Sequence, residues 1–211
     1  EVAPTYSVDG VSGTGLSFDG TSQFLCSDAN NDATCDIDAD FNPGTLSFTV
    51  ETWFKHPTAI SGGDVLVTNM VNASGVATSG YMIFMGSTGA ITFMIDDDGT
   101  WSTTTPASTD DFVTSALTYN DNLWHHLVAV NTDAAICLYI DGKLTGTCDT
   151  TLAATLTLNP GILSVGASCA LVANCTSGRD FWTGQIDDLY IAGAAATTDS
   201  SLGYPQIRKK Y

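Results

Sequence analysis

The 211-residue sequence has few basic residues. Six positions are Lys or Arg, against 23 that are Asp or Glu, so the formal net charge is −17. Three of the six, Arg208, Lys209 and Lys210, lie at the C-terminal end, which leaves the rest of the chain more acidic still. An acidic surface repels phosphate backbones, so nucleic acid is not expected as a partner. The acidity fits two interpretations, a solubility device in a salty medium and a cation-binding surface.

Long apolar runs and helical patterns are also missing. No apolar run approaches the length of about 18 residues that a membrane span needs, so we expect no membrane insertion. Glu occurs only at Glu1 and Glu51, and the other acids are Asp, which disfavours helix interiors and favours turns. No signal peptide is visible, so we expect a mature, secreted chain that begins at Glu1.

What the sequence does contain is alternation of apolar and polar residues, which is typical of β-strands. Between 46 and 55, one face would carry Phe48 and Phe54, and the other Glu51, Trp53 and Lys55. An Asp-Gly pair at 141–142, between alternating runs, predicts a hairpin. The predicted strands are 16–18, 24–26, 46–55, 65–69, 81–85, 91–95, 127–130, 136–140, 143–148, 163–166 and 184–191.

Four segments together resemble a known family. The stretch 124–144 begins Trp-His-His and continues through a strand into the Asp-Gly hairpin, as in the laminin G-like and pentraxin-like domains of the concanavalin A-like jelly rolls. LSFDGTSQFL at 16–25, LSFTVETWFK at 46–55 and FWTGQIDDLYI at 181–191 resemble other strands of that family, in the same order. The resemblance implies an all-β, two-sheet antiparallel jelly-roll sandwich. We expect one domain over 1–211, with a core at about 15–192, an N-terminal segment at 1–14 and a C-terminal tail at 193–211.

Six cysteines in loop-like settings predict three disulfides in an oxidising compartment. Although 15 connectivities are possible, we favour the local pairs Cys26–Cys35, Cys137–Cys148 and Cys169–Cys175, because each encloses one loop or hairpin. The pair Cys137–Cys148 requires a diagonal contact or a bulge, since a hairpin centred on 141–142 places Cys137 opposite Gly146.

The resemblance also implies a structural calcium ion between the first turn and the last strand. Its ligands would be Asp19 and Asp187, with backbone carbonyls near Gly20, because calcium takes six to eight oxygen ligands. The alternative is that Asp19 only makes the turn and that Asp187 only faces solvent. Two other acidic segments could bind a cation instead, or could simply be solvated. They are the run Asp96, Asp97 and Asp98 and the region 28–40, and neither matches an EF-hand loop.

No catalytic pattern is present. Glycoside hydrolases of the same jelly-roll class use two glutamates on one strand, whereas Glu51 is the only internal glutamate here. Asp187 and Asp188 are adjacent, so a strand would direct them to opposite faces. The histidines at 56, 125 and 126 are expected to pack and to hydrogen bond. We therefore expect no enzyme activity.

Binding or assembly remains as the function. We expect a carbohydrate-binding or adhesion module whose partner is a glycan or an extracellular protein. Trp101 beside Asp96, Asp97 and Asp98 is the best candidate for a sugar platform, with Arg179 as a weaker one. The alternative is a structural subunit of an extracellular fibre or surface assembly that self-associates through its terminal segments. Asn72 and Asn174 lie in N-glycosylation motifs.

Overall fold

The computed structural model describes residues 3–6, 9–31, 34–38, 41, 43, 47–60, 62–71, 79–96, 110–132, 134–152, 161–169 and 178–193. These ranges contain no α-helix, and therefore no helix able to cross a membrane. Their strands are β1 (Thr5–Tyr6), β2 (Leu16–Asp19), β3 (Leu25–Cys26), β4 (Phe48–Lys55), β5 (Asp64–Val71), β6 (Gly80–Met85), β7 (Ala90–Asp96), β8 (Asp111–Thr118), β9 (Trp124–Asn131), β10 (Ile136–Ile140), β11 (Lys143–Leu144), β12 (Ile162–Val165), β13 (Ser168–Cys169), β14 (Gly178–Arg179) and β15 (Thr183–Gly193).

Two antiparallel sheets build the fold. The seven-stranded sheet has the order β1-β2-β15-β4-β9-β10-β11, and the six-stranded sheet has the order β3-β12-β5-β6-β7-β8. Strands β13 and β14 form a separate two-stranded ladder. The predicted all-β, two-sheet jelly-roll sandwich is confirmed.

The main core lies between the two sheets. On β4 the buried and partly exposed residues alternate strictly, with Phe48, Val50, Thr52 and Phe54 pointing inward. Leu127 and Leu138 extend this layer on β9 and β10, and they pack in one cluster with residues of the six-stranded sheet. The alternation that predicted β4 therefore also determined which of its faces is buried.

The centre of the six-stranded sheet is buried on both faces. Its outward side carries a second apolar cluster formed by Val65, Met70, Met82, Phe84 and Met94, each at most 2% exposed. All six residues of β6 are buried as a result. This sheet therefore offers little exposed surface at its centre.

The hairpin after β10 contains the bulge that the second disulfide requires. Thr145 donates its backbone N–H to Leu138 at 2.9 Å, whereas Asp149, four residues later, pairs with Ile136. The segment after the turn therefore has two more residues than the strand it faces. These extra residues place Cys148 beside Cys137, with a Cα–Cα distance of 4.5 Å. Both Cys137–Cys148 and Cys26–Cys35 are confirmed. The third predicted pair depends on Cys175, which lies outside the described residues.

Segment 145–149 covers the edge of the six-stranded sheet. Thr145 Oγ1 accepts a hydrogen bond from the backbone N–H of Ala116 on β8 at 3.1 Å. Burial alone would raise the pKa of Asp149, but hydrogen bonds from Thr151 and from the backbone of Phe112 on β8 outweigh it and hold the pKa below its usual range. Two edge amides of β8 thus have acceptors within their own chain, which opposes pairing with another molecule.

Candidate functional site

The predicted ligand loop is only partly described. Asp96 is the last residue of β7 and has no exposed surface, whereas the sequence placed it in the loop after a strand at 91–95. Asp97, Asp98 and Trp101 lie outside the described residues, as do both glycosylation motifs and the tail from 194 onward. The backbone of Arg179 lies in β14, where it pairs with Ser168.

Asp19 is fully engaged in its own turn. Its carboxylate accepts hydrogen bonds from the backbone N–H groups of Thr21, Ser22 and Gln23 at 2.8, 2.8 and 3.1 Å, and from the Ser22 hydroxyl at 2.8 Å. Burial raises the pKa of Asp19, but these hydrogen bonds outweigh it and hold the pKa well below its usual range. Gly20 has a φ of +72°, as the turn requires.

Asp187 organises a different part of the molecule. It is 5% exposed, and its carboxylate accepts hydrogen bonds from the backbone N–H groups of Ser12 at 3.2 Å and Asp188 at 3.0 Å. A Cβ on Gly10 would lie only 2.5 Å from Asp187 Oδ2, so this approach requires glycine. Asp187 thereby holds the segment before β2 against the last strand through direct hydrogen bonds.

The strand register separates the two predicted calcium ligands. Asp19 pairs with Thr183 on β15, and Asp187 lies four residues further along that strand. At a rise of about 3.3 Å per residue, the interval is about 13 Å, which two short side chains cannot span to share one ion. Asp19 and Asp187 therefore do not fit a common calcium site. Among the described residues, no group of three or more His, Cys, Asp or Glu is arranged to hold a metal.

The outward side of the seven-stranded sheet brings together residues that lie far apart in the sequence. We call its central side chains the aromatic face. Its members lie on the side of their strands that faces away from the core, and they are partly exposed. They are Glu51, Trp53 and Lys55 on β4, Trp124 and His126 on β9, Tyr139 on β10, and Gln185 and Tyr190 on β15.

Cross-strand pairing arranges the aromatic face in rows. Lys55 pairs with Trp124 on one side and with Gln185 on the other. Trp53 pairs with His126 in the next row. Glu51 lies in the third row, opposite Tyr190. Large flat side chains thus alternate with charged and amide groups over three adjacent strands, the combination that binding sites for polar ligands use.

Glu51, His126 and Trp53 form the centre of the aromatic face. His126 Nε2 donates a hydrogen bond to Glu51 Oε1 at 2.8 Å, and the two side chains are 25% and 43% exposed. The Trp53 and His126 rings lie 4.9 Å apart between centroids, at an interplanar angle of 40°. Each group restrains its neighbour, so the cluster presents its polar atoms in a defined orientation.

His125 stabilises the backbone beneath the aromatic face. It points inward, with Nδ1 2.8 Å from Asp141 Oδ2 and Nε2 3.1 Å from Asp121 Oδ1. The other oxygen of Asp141 accepts the backbone N–H of His126 at 3.0 Å. Burial alone would raise the pKa of Asp121, but the Leu123 backbone and His125 outweigh it and lower the pKa. The hairpin turn and the loop before β9 are thus tied to the strand that carries Trp124 and His126.

His56 has a purely internal role. It has no exposed surface, and Nε2 lies 2.8 Å from Oδ2 of the equally buried Asp64. Nδ1 lies 2.7 Å from the carbonyl oxygen of Pro57, so this nitrogen donates. The Trp182 ring contacts the imidazole edge-on. The three histidines therefore pack and hydrogen bond, as the sequence predicted, and His126 does so on the aromatic face.

Sequence reasoning placed Glu51, Trp53 and Lys55 on one face of β4 but did not identify that face as a site. The alternation was a sufficient signal for these three residues. The missing information was the pairing of β4 with β9, which brings His126 and Trp124 beside them from about 70 residues away.

Solved structures resemble this fold at low sequence identity. The laminin alpha1 chain domains LG4-5 from mouse share 15% identity and a TM-score of 0.57, with 90% of this chain and 41% of that one covered. Domain 4 of AbnA, a GH43 extracellular arabinanase from Geobacillus stearothermophilus solved with arabinotriose, shares 14% identity and a TM-score of 0.61, over 90% and 75%. A heptameric SAP-like pentraxin from Limulus polyphemus shares 14% identity and a TM-score of 0.52, over 84% and 74%.

No curated protein matches the chain. The family model Laminin_G_3, of the concanavalin A-like lectin/glucanases superfamily, matches residues 27–200. This fold is one that carbohydrate-binding and adhesion modules use, and disulfides within it are typical of an extracellular protein. Since the match spans most of the sequence, the chain belongs to the laminin G-like family of the concanavalin A-like lectin/glucanases superfamily.

Proposed function

We propose that this chain is a secreted, non-enzymatic module that binds a glycan on its aromatic face. The observation that carries the proposal is the central cluster of Glu51, His126 and Trp53, in which an indole, an imidazole and a carboxylate are oriented by mutual contact and remain partly exposed. Aromatic platforms with a few fixed polar groups are the usual means of recognising sugars, because a sugar has apolar ring faces and polar edges.

The arrangement of carboxylates favours binding over hydrolysis. A glycosidase needs two carboxyl groups that flank one bond, at separations of about 5–9.5 Å. On the aromatic face Glu51 is partly exposed, and its Oε1 accepts a hydrogen bond from His126. Asp187, on the adjacent strand, is 5% exposed and its two oxygens accept backbone hydrogen bonds. Neither group has the paired, accessible geometry that acid–base chemistry requires.

The comparisons are consistent with this function. The arabinanase domain was solved with arabinotriose, which supports a sugar ligand here at the level of ligand class. Self-association through the terminal segments stays a prediction, because the segment from 194 onward lies outside the described residues.

Binding to immobilised glycans, followed by isothermal titration, tests the proposal. We expect the wild-type chain to bind at least one glycan, and Trp53→Ala to weaken that binding by about tenfold or more. Leu117→Ala is the matched control, since Leu117 is 66% exposed on β8 of the other sheet. A wild-type chain that binds no glycan in a broad array would overturn the proposed function.

A further inference from the structure

The charges and the spacing of the aromatic face define the class of its ligand. We propose that the aromatic face binds an uncharged oligosaccharide of at least two sugar units, which lies across β4 and β9 and stacks on both Trp53 and Trp124. This inference rests on the proposed function and specifies the substrate class and the contacts for the same site.

The two tryptophans are positioned to contact successive sugars. Trp53 pairs directly with His126, and Trp124 pairs directly with Lys55, so the two indoles are diagonal neighbours on adjacent antiparallel strands. Diagonal neighbours on one face lie about 7–8 Å apart, which exceeds the spacing of directly opposed residues. One sugar ring stacks on one indole at this separation, so a chain of two or more units is required to use both.

The polar groups beside the indoles suit hydroxyl groups. Glu51 binds His126 through Oε1, and its second oxygen accepts no hydrogen bond from the described residues. A carboxylate oxygen of this kind accepts strong hydrogen bonds from hydroxyls. Lys55, the last residue of the same strand, supplies donors on the other side of Trp53. Acceptor and donor thus flank Trp53, matching the mixed donor and acceptor edge of a neutral sugar.

The electrostatic surroundings disfavour an acidic glycan. Among the described residues named on the aromatic face, Lys55 is the permanent cation, whereas Glu51 lies on the same face and Asp121 and Asp141 lie in the loops that support it. The whole chain carries a formal charge of −17. Sulfated or uronic acid polymers would bring further negative charge within the screening length of about 10 Å at 0.1 M salt. Repulsion then opposes association of a polyanion, while a neutral chain is unaffected.

Titration of the full chain against two sets of probes tests the ligand class. The neutral set is arabinotriose, cellohexaose and mannohexaose, and the acidic set is hexagalacturonate and a heparin hexasaccharide. We expect binding in the neutral set alone, with a Kd that changes less than twofold between 50 and 500 mM NaCl. Monosaccharides of the bound series should bind about tenfold more weakly or not at all.

Variants test the contacts. Trp53→Ala and Trp124→Ala should each raise the Kd by about tenfold, and Glu51→Gln should raise it by about threefold to tenfold. Leu117→Ala should leave it unchanged. Circular dichroism and the melting temperature exclude unfolding, and Trp53→Phe and Trp124→Phe, which keep a flat ring, should restore part of the affinity. Trp101→Ala tests whether the loop platform predicted from the sequence contributes to binding.

The outcomes separate this inference from the proposed function. Absence of binding to every glycan overturns both. Binding that is restricted to the acidic probes and weakens severalfold in 500 mM NaCl overturns the ligand class and leaves the function standing. Binding that Trp101→Ala abolishes, and that Trp53→Ala and Trp124→Ala leave intact, overturns the site.

Discussion

His56 Nε2 lies 2.8 Å from Asp64 Oδ2, and the two side chains are almost completely excluded from solvent. A chemically similar pair, His126 and Glu51, has the same 2.8 Å separation on the exposed aromatic face. The two pairs play different parts because of their surroundings. The buried pair ties the end of β4 to the start of β5, whereas the exposed pair orients polar atoms toward solvent.

Breaking the buried pair should be strongly destabilising. We expect His56→Ala to lower the free energy of unfolding by about 3–5 kcal/mol, since it removes the His56 hydrogen bond from the buried Asp64 carboxylate. Denaturant titration measures this loss. The double variant His56→Leu with Asp64→Leu should lose less than the sum of the two single changes, because either single change already removes the interaction that the two side chains share. Additive losses would show that the two side chains do not interact in solution.

The Cys137–Cys148 disulfide should hold segment 145–149 against the edge of β8. The enclosed segment, with a sequence separation of 11, is of the size for which a cross-link contributes about 2–4 kcal/mol. We expect Cys137→Ser with Cys148→Ser to lose that amount and to speed hydrogen exchange at the amides of Phe112 and Ala116. The matched control is Cys26→Ser with Cys35→Ser, which lies away from β8 and should leave those two amides protected. Equal rates of hydrogen exchange at these two amides in both variants would contradict this role of segment 145–149.

Asp19 should make stability depend on pH in the acid range. Its folded-state pKa lies below the value of about 3.9 of a free Asp, so its contribution is present above pH 4 and is lost as the pH falls toward the folded pKa. We expect Asp19→Ala to cost about 1 kcal/mol at pH 7, or roughly 2–4 °C in melting temperature. The difference in free energy of unfolding between Asp19→Ala and the wild type should become smaller toward pH 2. A loss of stability in Asp19→Ala that is constant with pH would refute the assignment.

Calcium provides a separate test of Asp19. Because its carboxylate is bonded to its own turn and lies far along the strand from Asp187, we expect Asp19→Ala to lower the melting temperature equally in 5 mM calcium and in EDTA. A ligand that binds only the folded state raises its stability by mass action. If Asp19→Ala lowers the melting temperature in calcium but not in EDTA, then Asp19 is a calcium ligand.

Local patterns were sufficient for the strands with strong alternation and failed for β8. On β10 the buried positions are Ile136, Leu138 and Ile140, and on β4 the buried positions are apolar except for Thr52. On β8 the relation is reversed at several positions, since Asp111 and Ser115 are buried and Phe112 is 38% exposed. Polar side chains are tolerated inside this edge strand because they find hydrogen bonds, as Ser115 does with the N–H of Ile91 at 2.9 Å. A pattern based on hydrophobicity cannot detect such a strand.

The sequence by itself determined the fold class, the inward and outward faces of β4, the turn at 141–142 and the two described disulfides. These features depend on side-chain alternation, on turn chemistry and on contacts between residues close in the chain. The tertiary structure alone decided which strands are neighbours. It placed β4 between β9 and β15, which brought His126 to Glu51 and Trp124 near Trp53, and the register of β2 against β15 kept Asp19 from Asp187. Long-range pairing is set by the packing of the whole core, because local preferences do not distinguish one distant partner strand from another.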